Sequence, residues 1–253
     1  MNAVDVVLAS NDRVTVRVGD VFLKIDADPD RSAREVEAMT LAPVPTPEVL
    51  WRTPPVLALA RVSGIRLDEP GRPSIAPPAA WAAVGATIRR LHDAPLPPWP
   101  TPYTNAARWE SVQALEASLD EECDWLVTHQ ILPTDVVESN RTRARAVLRP
   151  WRPVFIHGDL HIEHVLIDGG VVTGVLDWSE AAPGDAAFDL ASLTLAHPDR
   201  LGDLLAGYGD EADRDRIHAW WSYRCLTAVR WLSENGYGPP DDYPEVAMLR
   251  SVT

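Results

Sequence analysis

The chain is almost without lysine: of its 23 basic residues, every one except Lys24 is arginine. It has only 2 cysteines, Cys123 and Cys225, too few and too far apart for a metal knuckle or a disulfide framework, so a reducing cytoplasm is the expected setting. No apolar run approaches the roughly 18 residues of a membrane span, so no membrane partner is expected. The segment from Met1 to Val7 has neither the positive start nor the long apolar stretch of a secretory signal. Positive charge is scarce overall. Its 23 Lys+Arg against 37 Asp+Glu give a net charge of −14, which argues against a nucleic-acid partner, since that would want a basic face. The same acidity suits a cationic small molecule, or is simply a solvated surface. No glycine precedes Gly19. What remains is ample: 253 residues, 46% hydrophobic, enough for one large domain or two modest lobes.

The chemistry is concentrated in Phe155-Ile-His-Gly-Asp-Leu-His-Ile-Glu-His-Val-Leu-Ile167, followed by Asp177-Trp178. Apolar runs around a polar loop predict a strand, a tight loop and a strand pair, with Asp177 at the carboxyl end of the last strand. Asp159, His164 and Asp177 then converge. One carboxylate to receive a hydroxyl proton and two metal ligands form the set that phosphoryl transfer from a nucleotide needs. Lys24 sits in the apolar strand Val21–Ile25, where a compact ammonium has been kept by a chain that otherwise uses arginine.

His157-Gly158-Asp159-Leu160-His161, His164, Asp177-Trp178, Gly184-Asp185 and Asp189-Leu190-Ala191 follow the order and spacing of the aminoglycoside phosphotransferase family, which the chain resembles. The resemblance is specific over 155–191 and diffuse elsewhere. It implies an α+β, bilobal, protein-kinase-like fold: a small antiparallel-sheet N-lobe, 1–64, ending at a hinge, and a larger, mainly helical C-lobe, 65–253. The C-lobe would carry the catalytic loop, the metal loop and a helical substrate-binding subdomain. The resemblance makes Asp159 the catalytic carboxylate and Lys24 the ligand of the α- and β-phosphates of ATP or GTP. Glu35 becomes the partner of Lys24, and the Ala60 carbonyl and Val62 N–H the hinge groups on the base. His164 and Asp177 would hold Mg²⁺, while His157 and Asp189 brace the loop. The usual asparagine of the family is His164 here, as in members that resemble macrolide kinases. An imidazole binds divalent metal but Mg²⁺ prefers oxygen, so Mn²⁺ is the alternative. His161 either lines the substrate cleft or packs. Asp199 and Glu234, with Asp203, Asp210 and Glu211, are candidates for ammonium groups of an acceptor. The implied activity is that of a small-molecule kinase, monomer or dimer, conferring resistance by phosphorylating an antibiotic hydroxyl (aminoglycoside, tuberactinomycin-type peptide or macrolide). The alternatives are a metabolic kinase of an amino sugar or amino alcohol, and an inactive nucleotide-binding member.

Along the rest of the chain, period-two alternation over 4–26 predicts a three-stranded meander. Its first turn, Ser10 to Arg13, stands where the family places a loop over the phosphates; its N–H groups can meet phosphate, without any glycine. Ser32 to Leu41 reads as a helix capped by Ser32, with Val36, Met39 and Thr40 toward the sheet. Glu35 and Glu37 lie about 200° apart around that helix, so only one can meet Lys24. Further helices are predicted over Pro77–Asp93, Asn105–Thr128, Thr134–Leu148 and from Ala186 onward. His92 is read as a packing or capping residue, Asp120 to Asp124 as a solvated acidic face, and Trp220, Trp221 and Trp231 as core.

Overall fold

The computed structural model describes residues 4–9, 12–69, 72–96, 111–209 and 211–251. Ser10 and Asn11 of the predicted phosphate turn, the helix start at Asn105 and the candidate Asp210 lie outside the described residues. The meander forms as predicted: β1 (Val4–Ala9), β2 (Arg13–Val18) and β3 (Val21–Asp26), all antiparallel. After helix α1 (Pro29–Leu41), strands β4 (Val49–Thr53) and β5 (Val56–Ala60) complete a five-stranded sheet in the order β1-β2-β3-β5-β4. β1 is exposed on both faces, with Val4 at 63% and Val6 at 67%, so its valines report strand propensity and not a buried face.

Helix α1 begins earlier than the Ser32 cap predicted. Asp28 is the N-cap, its side chain accepting from the Asp30 N–H at 2.9 Å, and Pro29 fills the first helical position, where a missing N–H costs nothing. Ser32 lies inside the helix, donating to the Pro29 carbonyl at 3.1 Å. The buried residues are Ser32, Glu35, Ala38 and Met39, whereas Thr40 is exposed.

The remainder is mainly helical. A short strand, β6 (Ile65–Arg66), pairs with the hairpin β8 (Val165–Asp168) and β9 (Val171–Val175), and β7 (Val154–Ile156) pairs with β10 (Ala182–Gly184). Around them pack α2 (Pro78–Asp93), α3 (Val112–Thr128), α4 (Thr134–Arg145), α5 (Ala186–Thr194), α6 (Leu201–Tyr208), α7 (Arg214–Glu234) and α8 (Pro244–Arg250). Trp81, Trp178, Trp220, Phe155 and Phe188 are fully buried among them. α5 is buried from Ala187 to Thr194, because it lies between β7 and α7. No helix among the described residues is long and apolar enough to cross a membrane.

α2 and α6 cross at backbone distance. A Cβ on Gly85 would overlap the Leu204 carbonyl, and one on Gly207 would overlap the Ala82 carbonyl. Neither neighbour is a side-chain end that can swing aside. Gly207→Ala is therefore expected to destabilise the protein by about 1–3 kcal/mol through enforced helix separation. An unchanged denaturant midpoint would show that the crossing is loose.

Candidate active site

β7 delivers His157, Gly158 and Asp159 into a tight loop. Gly158 has φ 82°, and a Cβ there would overlap the Glu180 carbonyl, so only glycine fits. The loop backbone is held from α5. Asp189, fully buried, accepts from the His157 N–H at 2.7 Å and the Gly158 N–H at 3.0 Å, one on each carboxylate oxygen. His92 packs as expected, but it is also the next link in this chain. Its Nε2 donates to Asp189 at 3.1 Å, and its Nδ1 accepts from the Tyr208 hydroxyl at 2.9 Å. His157 donates through Nε2 to the Leu176 carbonyl at 2.8 Å and accepts from the Asp159 N–H. Burial pushes its pKa down, which suits a ring nitrogen that must accept. Trp178 is buried behind it, ring centroids 4.8 Å apart.

His164 sits between the two aspartates in a single turn of 3-10 helix, Ile162–His164. Its Nδ1 donates to the Asp159 carbonyl at 2.8 Å, and its own carbonyl accepts from the Leu176 N–H at 2.8 Å. This stitches the loop of Asp159 to the end of the strand that carries Asp177. Asp177 adopts a left-handed conformation, φ 60° and ψ 68°, a rare geometry for a residue with a side chain but one that aspartate tolerates.

Lys24 reaches across from β3 to Asp177 at 2.9 Å and to Glu35 at 2.5 Å, so Glu35 and not Glu37 is the inward residue. Burial alone would lower the Lys24 pKa, but Glu35 and Asp177 reverse this and raise it, so the ammonium stays charged. For Asp177, burial is likewise outweighed, by Lys24, His164 and Arg13, and its pKa is lowered. Asp159 faces a different side. Its side chain is 33% exposed, accepts from His161 at 2.8 Å and from Arg224 at 3.2 Å, and carries a pKa well below the usual carboxylate range. Burial works against that shift, and His161, Arg224 and His164 overcome it.

Asp159 and His161 open onto a cleft of about 810 Å³, walled by α3, α7 and α8 and lined also by Glu122, Glu180, Arg224, Trp231 and Glu245. Trp231 is thus a wall residue, 51% exposed, against its predicted place in the core; it lies near the end of α7, past the buried stretch that contains Trp220. The acidic run is spent on arginines of neighbouring helices, Asp120 and Asp124 on Arg141 and Glu121 and Glu122 on Arg230, and Glu122 also lines the cleft. Asp199 and Glu234 are not among the lining residues. Asp199 sits beside Arg200, whose guanidinium ties that turn to the Ser74 carbonyl, and Glu234 pairs with Arg230 at 3.1 Å. Asp203 and Glu211 are paired in the same way, with Arg200 and Arg89. The Ala60 N–H goes to the Glu48 carbonyl at 2.9 Å, and Val62 packs on Gly174, while Thr173 donates to the Ser63 carbonyl at 2.6 Å; this connects the segment after β5 to the β8–β9 hairpin.

The side chains of two arginines near the site went unread in the sequence. Arg13 contacts Asp177, and Arg224 contacts Asp159. Arg224 had a signal, since Trp220, Arg224, Thr227, Ala228 and Trp231 share one stripe of α7. Arg13 had only its position directly after the glycine-free turn.

Among the described residues no three His, Cys, Asp or Glu side chains form a ready metal cage. The donors fit a metal shared with a nucleotide. With Nδ1 of His164 turned to the Asp159 carbonyl, Nε2 is the ring nitrogen that a metal would take in the neutral form, and Asp177 supplies anionic oxygen. Mg²⁺ is commonly held this way, by one or two protein groups plus phosphate oxygens.

Comparison with known proteins agrees with this geometry. A curated relative, viomycin phosphotransferase of Streptomyces vinaceus, is 35% identical over 88 residues, 32% of this chain and 31% of that protein. The chain thus matches less than a third of the length of its curated relatives. The GDP complex of aminoglycoside 2'-phosphotransferase-IIIa has the same fold, with a TM-score of 0.72 at 15% identity, covering 99% of this chain and 92% of the other. Macrolide 2'-phosphotransferase type I matches with a TM-score of 0.64 at 18% identity over 100% of this chain and 91% of the other. The phosphotransferase enzyme family, APH, matches residues 7–221, and the chain belongs to that family.

Proposed function

We propose that this chain transfers the γ-phosphoryl group of ATP or GTP to a hydroxyl of a small molecule bound in the 810 Å³ cleft, and that the acceptor is an antibiotic of the aminoglycoside, tuberactinomycin-type peptide or macrolide class. The observation that carries it is the division of labour around His164. On one side Asp159 faces an open cleft; on the other Asp177 faces the cation brought by the sheet. The acceptor and the phosphates thereby approach from opposite sides.

Asp159 orients the acceptor hydroxyl and takes its proton. Its depressed pKa makes it a weak base and a firm hydrogen-bond acceptor, which suits a reaction dominated by positioning and charge stabilisation. Lys24, fixed by Glu35, holds the α- and β-phosphates. Asp177 and His164 would hold Mg²⁺ or Mn²⁺, which neutralises charge on the phosphate oxygens when bound. The Ala60 carbonyl and Val62 N–H take the base. His157 and Asp189 act only through the loop they brace. Acidic groups on the cleft wall favour a cationic acceptor. Glu245 Oε2 is buried there without a hydrogen-bond partner, an acceptor atom that an ammonium or hydroxyl of the ligand would satisfy.

The test is a coupled nucleotide-turnover screen over aminoglycosides, tuberactinomycin-type peptides, macrolides and amino sugars, with Mg²⁺ and with Mn²⁺. Acceptor-dependent ADP or GDP release is the expected result. Nucleotide binding with no turnover on any acceptor would overturn the antibiotic assignment. In the same assay His164→Asn, which exchanges nitrogen for oxygen, is expected to raise the ratio of Mg²⁺- to Mn²⁺-supported turnover. An unchanged ratio would remove His164 from the metal.

A further inference from the structure

Arg13 is the first residue of β2, directly after the glycine-free turn. A turn of backbone N–H groups in the right conformation cradles phosphate without any charged side chain, and glycine is what usually permits that conformation. Here the first side chain of β2 is a guanidinium already aimed at Asp177. Its Nε donates to Asp26 at 3.0 Å, across the register pair Arg13–Asp26 of β2 and β3. Asp26 is itself buried, with its side chain 5% exposed, so the guanidinium plane is anchored from behind. The forward edge spans the metal loop. Nη1 donates to both oxygens of Asp177, at 3.1 and 3.2 Å, and Nη2 to Ser179 Oγ at 3.2 Å.

Two cations, Arg13 and Lys24, therefore converge on Asp177 Oδ1. Both oxygens of Asp177 are therefore already engaged by cations, which would compete with a metal for them. Arg13 has a buried partner in Asp26 and Asp177 has Lys24, so the Arg13–Asp177 pair is a second ionic contact for both. A planar fork is also the group that binds phosphate oxygens with two parallel hydrogen bonds.

We infer that Arg13 is a triphosphate-binding residue. In the nucleotide-free protein it holds Asp177 in an ion pair with which a divalent metal would compete, and on nucleotide binding its guanidinium moves its forward edge from Asp177 to the phosphates while Asp26 keeps its Nε. The inference rests on the phosphotransfer reading of this site.

The experiment compares the full chain with Arg13→Gln and Arg13→Lys by calorimetry. It measures ATP, GTP, adenosine and guanosine binding, and separately Mn²⁺ binding without nucleotide. Arg13→Gln is expected to weaken triphosphate binding by about 10- to 100-fold, the loss of charge-assisted hydrogen bonds. Nucleoside binding should be unchanged, and Mn²⁺ should bind the nucleotide-free variant more tightly than wild type. A purely structural role would instead weaken nucleoside and triphosphate together, and that result overturns the inference. So does triphosphate binding equal to wild type. If Arg13→Gln does not fold, Arg13→Lys carries the test: it keeps the charge and loses the fork, and wild-type triphosphate affinity in it overturns a bidentate role. A wild-type chain that binds neither ATP nor GTP would instead overturn the phosphotransfer reading itself, an outcome distinct from the others.

Discussion

Asp159→Asn is expected to lower turnover about 10²- to 10⁴-fold, the usual contribution of a positioned general base. Asparagine keeps the shape and one acceptor oxygen, so the hydroxyl can still be held, but its proton has nowhere to go. The fold should lose little. Asp159 is 33% exposed, and its partners His161 and Arg224 both border the open cleft. Nucleotide affinity should stay at the wild-type level, because Lys24 and Asp177 lie on the other side of His164. Steady-state kinetics with a productive acceptor, together with nucleotide calorimetry, separates these effects. Wild-type turnover in the variant would transfer the role to another group, and His161, whose Nε2 lies 2.8 Å from Asp159, would be the first candidate.

Asp189→Ala should produce the largest loss of stability. The carboxylate is fully buried and satisfies the His157 N–H, the Gly158 N–H and His92 Nε2. Removing it leaves those buried donors without an acceptor, at about 1–3 kcal/mol each, so a total of at least about 3 kcal/mol is expected. Asp189→Asn should cost less, since its amide oxygen can still accept while its NH₂ faces a donor. The order of denaturant midpoints, wild type above Asn above Ala, checks this. If Asp189→Ala unfolds at the wild-type midpoint, the loop backbone has found other partners and Asp189 is not its support. Activity should fall with stability, because the loop that Asp189 braces carries Asp159, and small displacements of a positioned group cost large rate factors.

Much of the site was legible because its parts are local. His157 to Asp177 is a strand, a loop and a hairpin, and the alternation of apolar residues fixes which side chains share an edge. The glycine at 158 and the positive φ of Asp177 are also properties of short segments. Lys24 could be read for another reason, its solitude in a chain of arginines. The helix cap was misplaced because Ser32 with Glu35 satisfies the capping-box pattern, while Asp28-Pro29 satisfies the competing pattern four residues earlier.

Other features depend on where distant segments meet. Helix periodicity left Glu35 and Glu37 as competitors and the family resemblance named Glu35; the packing of α1 beneath β3, which buries that face of the helix, is what brings Glu35 to Lys24. Trp231 belongs to the cleft because the apolar stripe of α7 runs past the helices that cover it. Arg13 is 164 residues from Asp177, and no spacing rule connects them; they meet because the sheet closes over the loop that carries Asp177. The sequence by itself determined the family motif, the hairpin between His157 and Asp177 and the lysine strand, since each depends on short-range geometry. The tertiary structure alone decided which charges face one another across the site, since ion pairing depends on distances that only the packing of separate elements sets.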